Sequence, residues 1–234
     1  REATFIGMEA DKNDEEYGKE IRYLLEHENL SNDILFSLVM QREELCSRVL
    51  SIILNRRIKT VEYVGIQESI VNLPQYKSVR LDVFAKDSEG IVYNVEMQKL
   101  KKDDLAKRSR FYQGLMDVSL LYKGKYEHYA KLPDTCIIFI TEFDLFDREL
   151  YKYTFRSRCD EAEDLVLEDG MVKIFLNTKG TVGKVDEDID KFLAYVDGKA
   201  AEGEFTQDIA TEVERIKQHN ETRVEYMTLM MELK

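Results

Sequence analysis

The stretch from Lys77 to Gln98, KSVRLDVFAKDSEGIVYNVEMQ, restricts this chain most, because it alternates twice with period two around a turn and carries charges where a core is expected. Val79, Leu81, Val83 and Ala85 share one side of the first segment, leaving Arg80, Asp82, Phe84 and Lys86 on the other. In the second segment Ile91, Tyr93, Val95 and Met97 face away from Val92, Asn94, Glu96 and Gln98. Between them, Asp87-Ser88-Glu89-Gly90 offers Asp at the first position of a type I turn and Gly at the fourth, where a left-handed residue closes a three-residue loop. With Asp87 and Ile91 flanking that loop, the register sets Asp82 opposite Glu96 and Arg80 opposite Gln98.

Directly opposed residues on paired strands have Cβ atoms about 4.5–5.5 Å apart, and two carboxylates so placed resist joint ionisation. A hard divalent cation would compensate, and Mg²⁺ characteristically takes one or two carboxylates while keeping several waters. Such an ion activates a bound water and neutralises charge on a phosphodiester.

Asp82, followed on the next strand by Glu96-Met97-Gln98, resembles the PD-(D/E)xK nuclease superfamily, and more specifically its bacterial transposase-like, recombination-promoting branch. The resemblance extends to SNDILFSLVMQREELCSRVLSIIL (31–54), RSRFYQGLMD (108–117), CIIFITEFDLF (136–146) and IFLNTKG (174–180), in that order. It implies an α/β (α+β) fold with a restriction-endonuclease-like αβββαβ core, a mixed central sheet, and an extra C-terminal hairpin and helices. It also implies a DNA endonuclease using Mg²⁺, with Mn²⁺ as a substitute: Asp82, Glu96 and the Met97 carbonyl as ligands, and Gln98 positioning water. In that superfamily the first core helix often adds an acid to the metal site, and Glu44, in preference to Glu43, matches that role. Asp33 reads instead as a helix cap.

The chain departs from the superfamily pattern twice. Val79-Arg80-Leu81 replaces the motif proline, and Gln98 replaces the usual lysine; a Gln hydrogen-bonds water but carries no charge. Arg80, opposite Gln98 in the deduced register, is the candidate for restoring that charge.

A net charge of −12 and a pI near 4.9 argue against a general nucleic-acid binder, since nonspecific affinity rests on phosphate neutralisation. The exception is local: Lys99, Lys101, Lys102, Lys107, Arg108 and Arg110 crowd together just after the motif and are the candidate DNA contacts. Cys46, Cys136 and Cys159 show neither a disulfide framework nor zinc-ligand spacing, which points to a reducing, cytoplasmic setting. No apolar run is long enough for a membrane span, and the histidines lack ligand-spaced companions.

The 234 residues divide into an N-terminal arm with a short helix (1–30), a nuclease-like domain (31–180) and a C-terminal helical appendage (181–234). Ser31-Asn32-Asp33 offers a cap for a helix running to about Asn55. Residues Val61 to Val71 predict a strand, Asp103 to Tyr122 a helix stopped by Gly124, and Cys136 to Thr141 a strand covered on both faces. Tyr151 to Phe155 predicts an added strand, Leu165–Leu167 with Val172–Leu176 a hairpin around Asp169-Gly170, and Asp186 to Val196 a helix. From Thr206, the residues Ile209, Val213, Ile216, Val224, Met227 and Met231 recur near heptad spacing in one long helix, which either packs on its own domain or forms a homodimer. Two other functions compete with the nuclease: an inactive nuclease-fold binding or assembly module, and a phosphodiesterase acting on RNA or a nucleotide.

Overall fold

The computed structural model describes residues 19–63, 81–122 and 129–232. The arm over 1–18, the strand beyond Tyr63, Arg80 and the Gly124 stop fall outside them.

After a first helix α1 (19–27), α2 (Asp33–Met40) is capped by Asn32, whose Oδ1 accepts the Leu35 N–H at 2.9 Å. Every residue from Ile34 to Met40 is buried, as an apolar-all-round helix requires. The single helix expected to Asn55 is instead broken. Arg42 is extended (φ −74°, ψ 103°) and a second helix, α3 (Glu43–Leu54), starts after it. The break lets α2 lie wholly inside while α3 presents one apolar face, a tertiary demand that periodicity alone does not display. Asn55 closes α3 in the left-handed conformation, φ 48°.

Strands β1 (Val61–Tyr63), β2 (Val83–Asp87), β3 (Val92–Gln98), β4 (Thr135–Thr141), β5 (Lys152–Phe155) and β6 (Met171–Asn177) form one mixed sheet in the order β1-β2-β3-β4-β6-β5. The first three are antiparallel, β3, β4 and β6 run parallel, and β5 returns antiparallel at the far edge. The expected turn between β2 and β3 is present: the Asp87 carbonyl accepts the Gly90 N–H, its carboxylate accepts the Glu89 and Ile91 N–H groups, and Gly90 takes φ 91°. Val83 pairs with Val95 and Phe84 with Asn94, the deduced register. The hairpin expected around Asp169-Gly170 does not form. Leu165 and Leu167 are exposed, Val166 bridges to Arg158, and β6 pairs with β4 and β5.

Both sheet faces are covered, which is why Asn94 and Glu96, on the second parity of β3, are buried. Val83, Ala85, Tyr93, Val95, Met97, Ile138, Ile140 and Ile174 join the larger core with α2 and α3. On the opposite face Phe84, Val92, Ile137, Phe139 and Phe175 pack with Leu105, Tyr112 and Met116 of α4 (Leu105–Tyr122). Leu81, expected beside Val83, belongs to this second core, because the chain joins the ladder only at Val83. Helices, three strands, α4 and β4 thus follow in the αβββαβ order of a restriction-endonuclease-like fold.

Three C-terminal helices complete the larger core: α5 (Glu187–Val196), capped by Asp186, α6 (Glu204–Gln218) and α7 (Asn220–Glu232). The long helix expected from Thr206 breaks at His219 (ψ 130°), and the bend buries Tyr226, whose hydroxyl accepts from Asn32 at 3.3 Å. Phe192, Ile209, Val213 and Ile216 are buried with it, so residues expected as an appendage share a core with the sheet. No helix among the described residues is long and apolar enough to cross a membrane.

Candidate metal centre

The pairing of β2 with β3 carries Asp82, just before the ladder begins, up to Glu96. The two are joined through the backbone: the Asp82 N–H donates to Glu96 Oε1 at 3.3 Å, and the Met97 N–H donates to Asp82 Oδ2 at 2.8 Å. Glu96 is 2 % exposed, while Asp82 keeps part of its surface open. Burial pushes the Asp82 carboxyl well above the usual range, and the charges of Glu96 and Asp33 push it further against the pull of the Met97 N–H and Arg108. Burial likewise raises Glu96 to about 7, opposed by the Asp82 N–H, Arg108 and Asn94.

Arg108, on the first turn of α4, turns inward. Its Nη1 donates to Gln98 Oε1 at 2.6 Å, its Nη2 donates to the Tyr112 hydroxyl at 2.8 Å, and the same nitrogen lies 3.9 Å from Glu96 Oε2. The guanidinium also stacks over the Tyr112 ring, 5.3 Å from its centroid. The Gln98 amide donates to the Met97 carbonyl at 2.8 Å. Beneath Glu96, on the same face of β3, the Asn94 side chain is fully buried. It favours the charged form of Glu96, yet neither amide atom completes a well-formed hydrogen bond.

Other expected site residues lie elsewhere. Glu44 is exposed on α3 in a groove with Arg42, Arg48, Asp208 and Glu212, away from the carboxylate pair. The break at Arg42 is the reason, since it aims the first turn of α3 toward α6. The helical acid whose charge reaches both Asp82 and Glu96 is Asp33 at the start of α2, which sequence reasoning assigned to capping alone; Asn32 is the cap. Asp33 lines a cleft of about 210 Å³ with Asn32, Met97, Gln98, Lys99 and Lys102. Lys99 pairs with Glu28 at 3.5 Å and Lys101 with Asp147 at 3.6 Å, whereas Lys107 and Arg110 are exposed on α4. Tyr112, read as a core residue, is also the partner of Arg108; their spacing of four on one helix was the available signal.

Among the described residues no group of three or more His, Cys, Asp and Glu side chains is gathered closely enough to hold a metal. The residues that could hold an ion here are two carboxylates, Asp82 and Glu96, with the Met97 carbonyl, which now accepts from the Gln98 amide. That suits a hard ion that keeps several waters and not one enclosed by protein ligands. The unsatisfied Asn94 amide beside Glu96 fits the same site, as a buried polar group left for water or a ligand.

No curated protein and no solved structure matches this sequence. A family model does, described as PD-(D/E)XK nuclease family transposase, and it matches residues 23–230, from the first helix through both strands of the carboxylate pair into the last helix. The chain therefore belongs to the PD-(D/E)XK nuclease family transposases.

Proposed function

We propose that the protein is a divalent-metal-dependent DNA endonuclease centred on Asp82 and Glu96. The observation that carries this reading is the pair of acids, Glu96 buried and Asp82 partly so, each carboxylate held by a backbone N–H of the facing segment and both raised above their ordinary protonation range, so in want of a counter-charge. Asp82, Glu96 and the Met97 carbonyl would hold Mg²⁺ or Mn²⁺. When bound, the ion neutralises charge on the scissile phosphodiester and acidifies a coordinated water.

The protein's own residues supply the rest. Gln98 accepts from Arg108, which fixes its side chain beside the cleft so that its amide can turn from the Met97 carbonyl to a water. Arg108 supplies the positive charge that Gln98 lacks, at a site where Arg stays protonated at any working pH. Arg80 is a second candidate for that charge. Lys102, Lys107 and Arg110 offer cations for the DNA backbone, with Lys99 and Lys101 released from their surface acids as strand phosphates replace them.

Pairing of two copies would fall to α7, where Val224 and Met231 are exposed, since Ile209, Val213 and Ile216 are spent on the core. Three free cysteines suit a reducing, cytoplasmic compartment. The test is cleavage of DNA, RNA and small phosphodiesters with Mg²⁺ or Mn²⁺ by wild type and Asp82→Ala. Metal-dependent DNA cutting lost in the variant supports the reading, and equal cutting by both refutes it. The engagement of the Gln98 amide with the Met97 carbonyl favours one alternative, an inactive binding module, for which metal titration would give no saturable heat dependent on Glu96.

A further inference from the structure

Beyond the C-terminus of α3, at the end of the sheet where β4 and β6 begin, the face that carries the larger core opens into a cavity of about 540 Å³. Its floor joins the buried Tyr93, Cys136 and Ile174, from three neighbouring strands, with the partly exposed Leu54, Ile91 and Val172, and its volume lies within the range of small-molecule sites. Arg56, Lys152 and Arg156 stand around that floor. Arg56 is committed: it bonds Asp87 at 2.9 Å and the Tyr93 hydroxyl. Lys152 donates to the Ile53 carbonyl at the end of α3 and is half-buried.

Lys152 and Arg156 lie close enough for the charge of Arg156, together with burial, to depress the Lys152 ammonium. The charges of Lys152, Arg156 and Arg56 all favour the thiolate of Cys136, in the cavity floor, though burial keeps that thiol raised to about 12. Among the described residues, neither Lys152 nor Arg156 forms an ion pair. Three acids share the lining, and none pairs with them: Asp169 is taken by the Ser157 hydroxyl and the Met171 N–H, Asp134 lies against Gly170, and Glu168 is exposed to solvent. Two cations without an acid partner beside apolar lining, in a chain of net charge −12, offer charge-assisted donors to an anion with an apolar body.

We propose that this cavity binds a mononucleotide-sized phosphate ester, its phosphate between Lys152 and Arg156 and its planar body on the partly exposed Ile91 and Val172. The site is separate from Asp82 and Glu96 and does not depend on the nuclease reading. The test is calorimetric titration of the full chain, in EDTA, with 5′-AMP, 5′-GMP, inorganic phosphate and adenosine. Saturable binding of a nucleotide, tighter than phosphate or adenosine, is expected. It should weaken about tenfold or more in Arg156→Ala, the loss expected for a charge-assisted hydrogen bond, and persist in Asp82→Asn. Arg156 is exposed, so its replacement leaves the fold intact, and Lys152→Met provides the second reading of the same loss. Absence of saturable nucleotide heat, adenosine binding as well as the nucleotides, or binding unchanged in Arg156→Ala would overturn the proposal.

Discussion

Arg108 Nη1 lies 2.6 Å from Gln98 Oε1, so a helix on one face of the sheet holds the side chain that occupies the motif's lysine position. The same guanidinium leans toward Glu96 and bonds Tyr112. A positive charge is thus present at the centre, delivered from α4 and not from β3.

Arg108→Ala is expected to reduce metal-dependent DNA cleavage by about a hundredfold, the usual cost of removing one preorganised charge donor, while circular dichroism stays native. Arg108→Lys keeps charge but loses the two-pronged grip, and should recover only part of the rate. Rates under single-turnover conditions separate these outcomes; wild-type cleavage in Arg108→Ala would remove Arg108 from the site.

The carboxylate pair makes the metal-free protein sensitive to pH. Glu96 titrates near 7 when folded against 4.5 as its ordinary value, so the unfolded chain releases that proton first. Stability from this group is therefore present below about pH 4.5 and is lost as pH rises through 7, at about 1.4 kcal/mol for each tenfold difference in proton affinity between the folded and unfolded chain. Thermal melts in EDTA should show wild type losing ground to Glu96→Gln across that window. Adding Mg²⁺ should raise the wild-type melting temperature more at pH 8 than at pH 5, because deprotonated ligands bind it. Parallel melting curves for the two proteins would refute this.

Of the two helical acids, Asp33 and not Glu44 should affect the centre. Asp33→Asn removes a like charge felt by both carboxylates and should lower the pH at which metal binds, read by titration at pH 6 and pH 8. Glu44→Gln should leave metal affinity within about twofold, since exposed carboxylates far from a site contribute little. The reverse pattern would restore Glu44 as a ligand.

Phe192→Ala should destabilise the whole protein by about 3–5 kcal/mol, as truncating a fully buried aromatic does. A single unfolding transition by near- and far-ultraviolet dichroism is expected, because Phe192 shares its core with the sheet strands. Two separate transitions, with the sheet signal unshifted, would mean that α5 to α7 fold independently.

The hairpin and its carboxylates were legible because a two-residue period, an Asp at the turn entry and a Gly at its exit leave one register; the pairing of Val83 with Val95 follows from those residues alone. The breaks at Arg42 and His219 were not, since both segments keep helical periodicity through them and only packing against α6 and α2 demands the bend. Leu165 and Leu167 looked like strand because they alternate, but β6 found its partners in β4 and β5. Arg108 sat in a basic run whose other members are exposed, and composition does not say which cation turns inward. Asp33 follows the residue that caps its helix, so its electrostatic reach appears only once α2 is laid beside the end of β3.

The proposed metal-dependent cleavage would require two acids to share one cation at the end of the β2–β3 ladder. Crystals grown with Mn²⁺ and measured at the manganese absorption edge locate that ion directly. An anomalous peak bound by the carboxylates of Asp82 and Glu96 is the predicted result; a well-occupied manganese peak elsewhere, with these two side chains still bonded only to backbone, would contradict it.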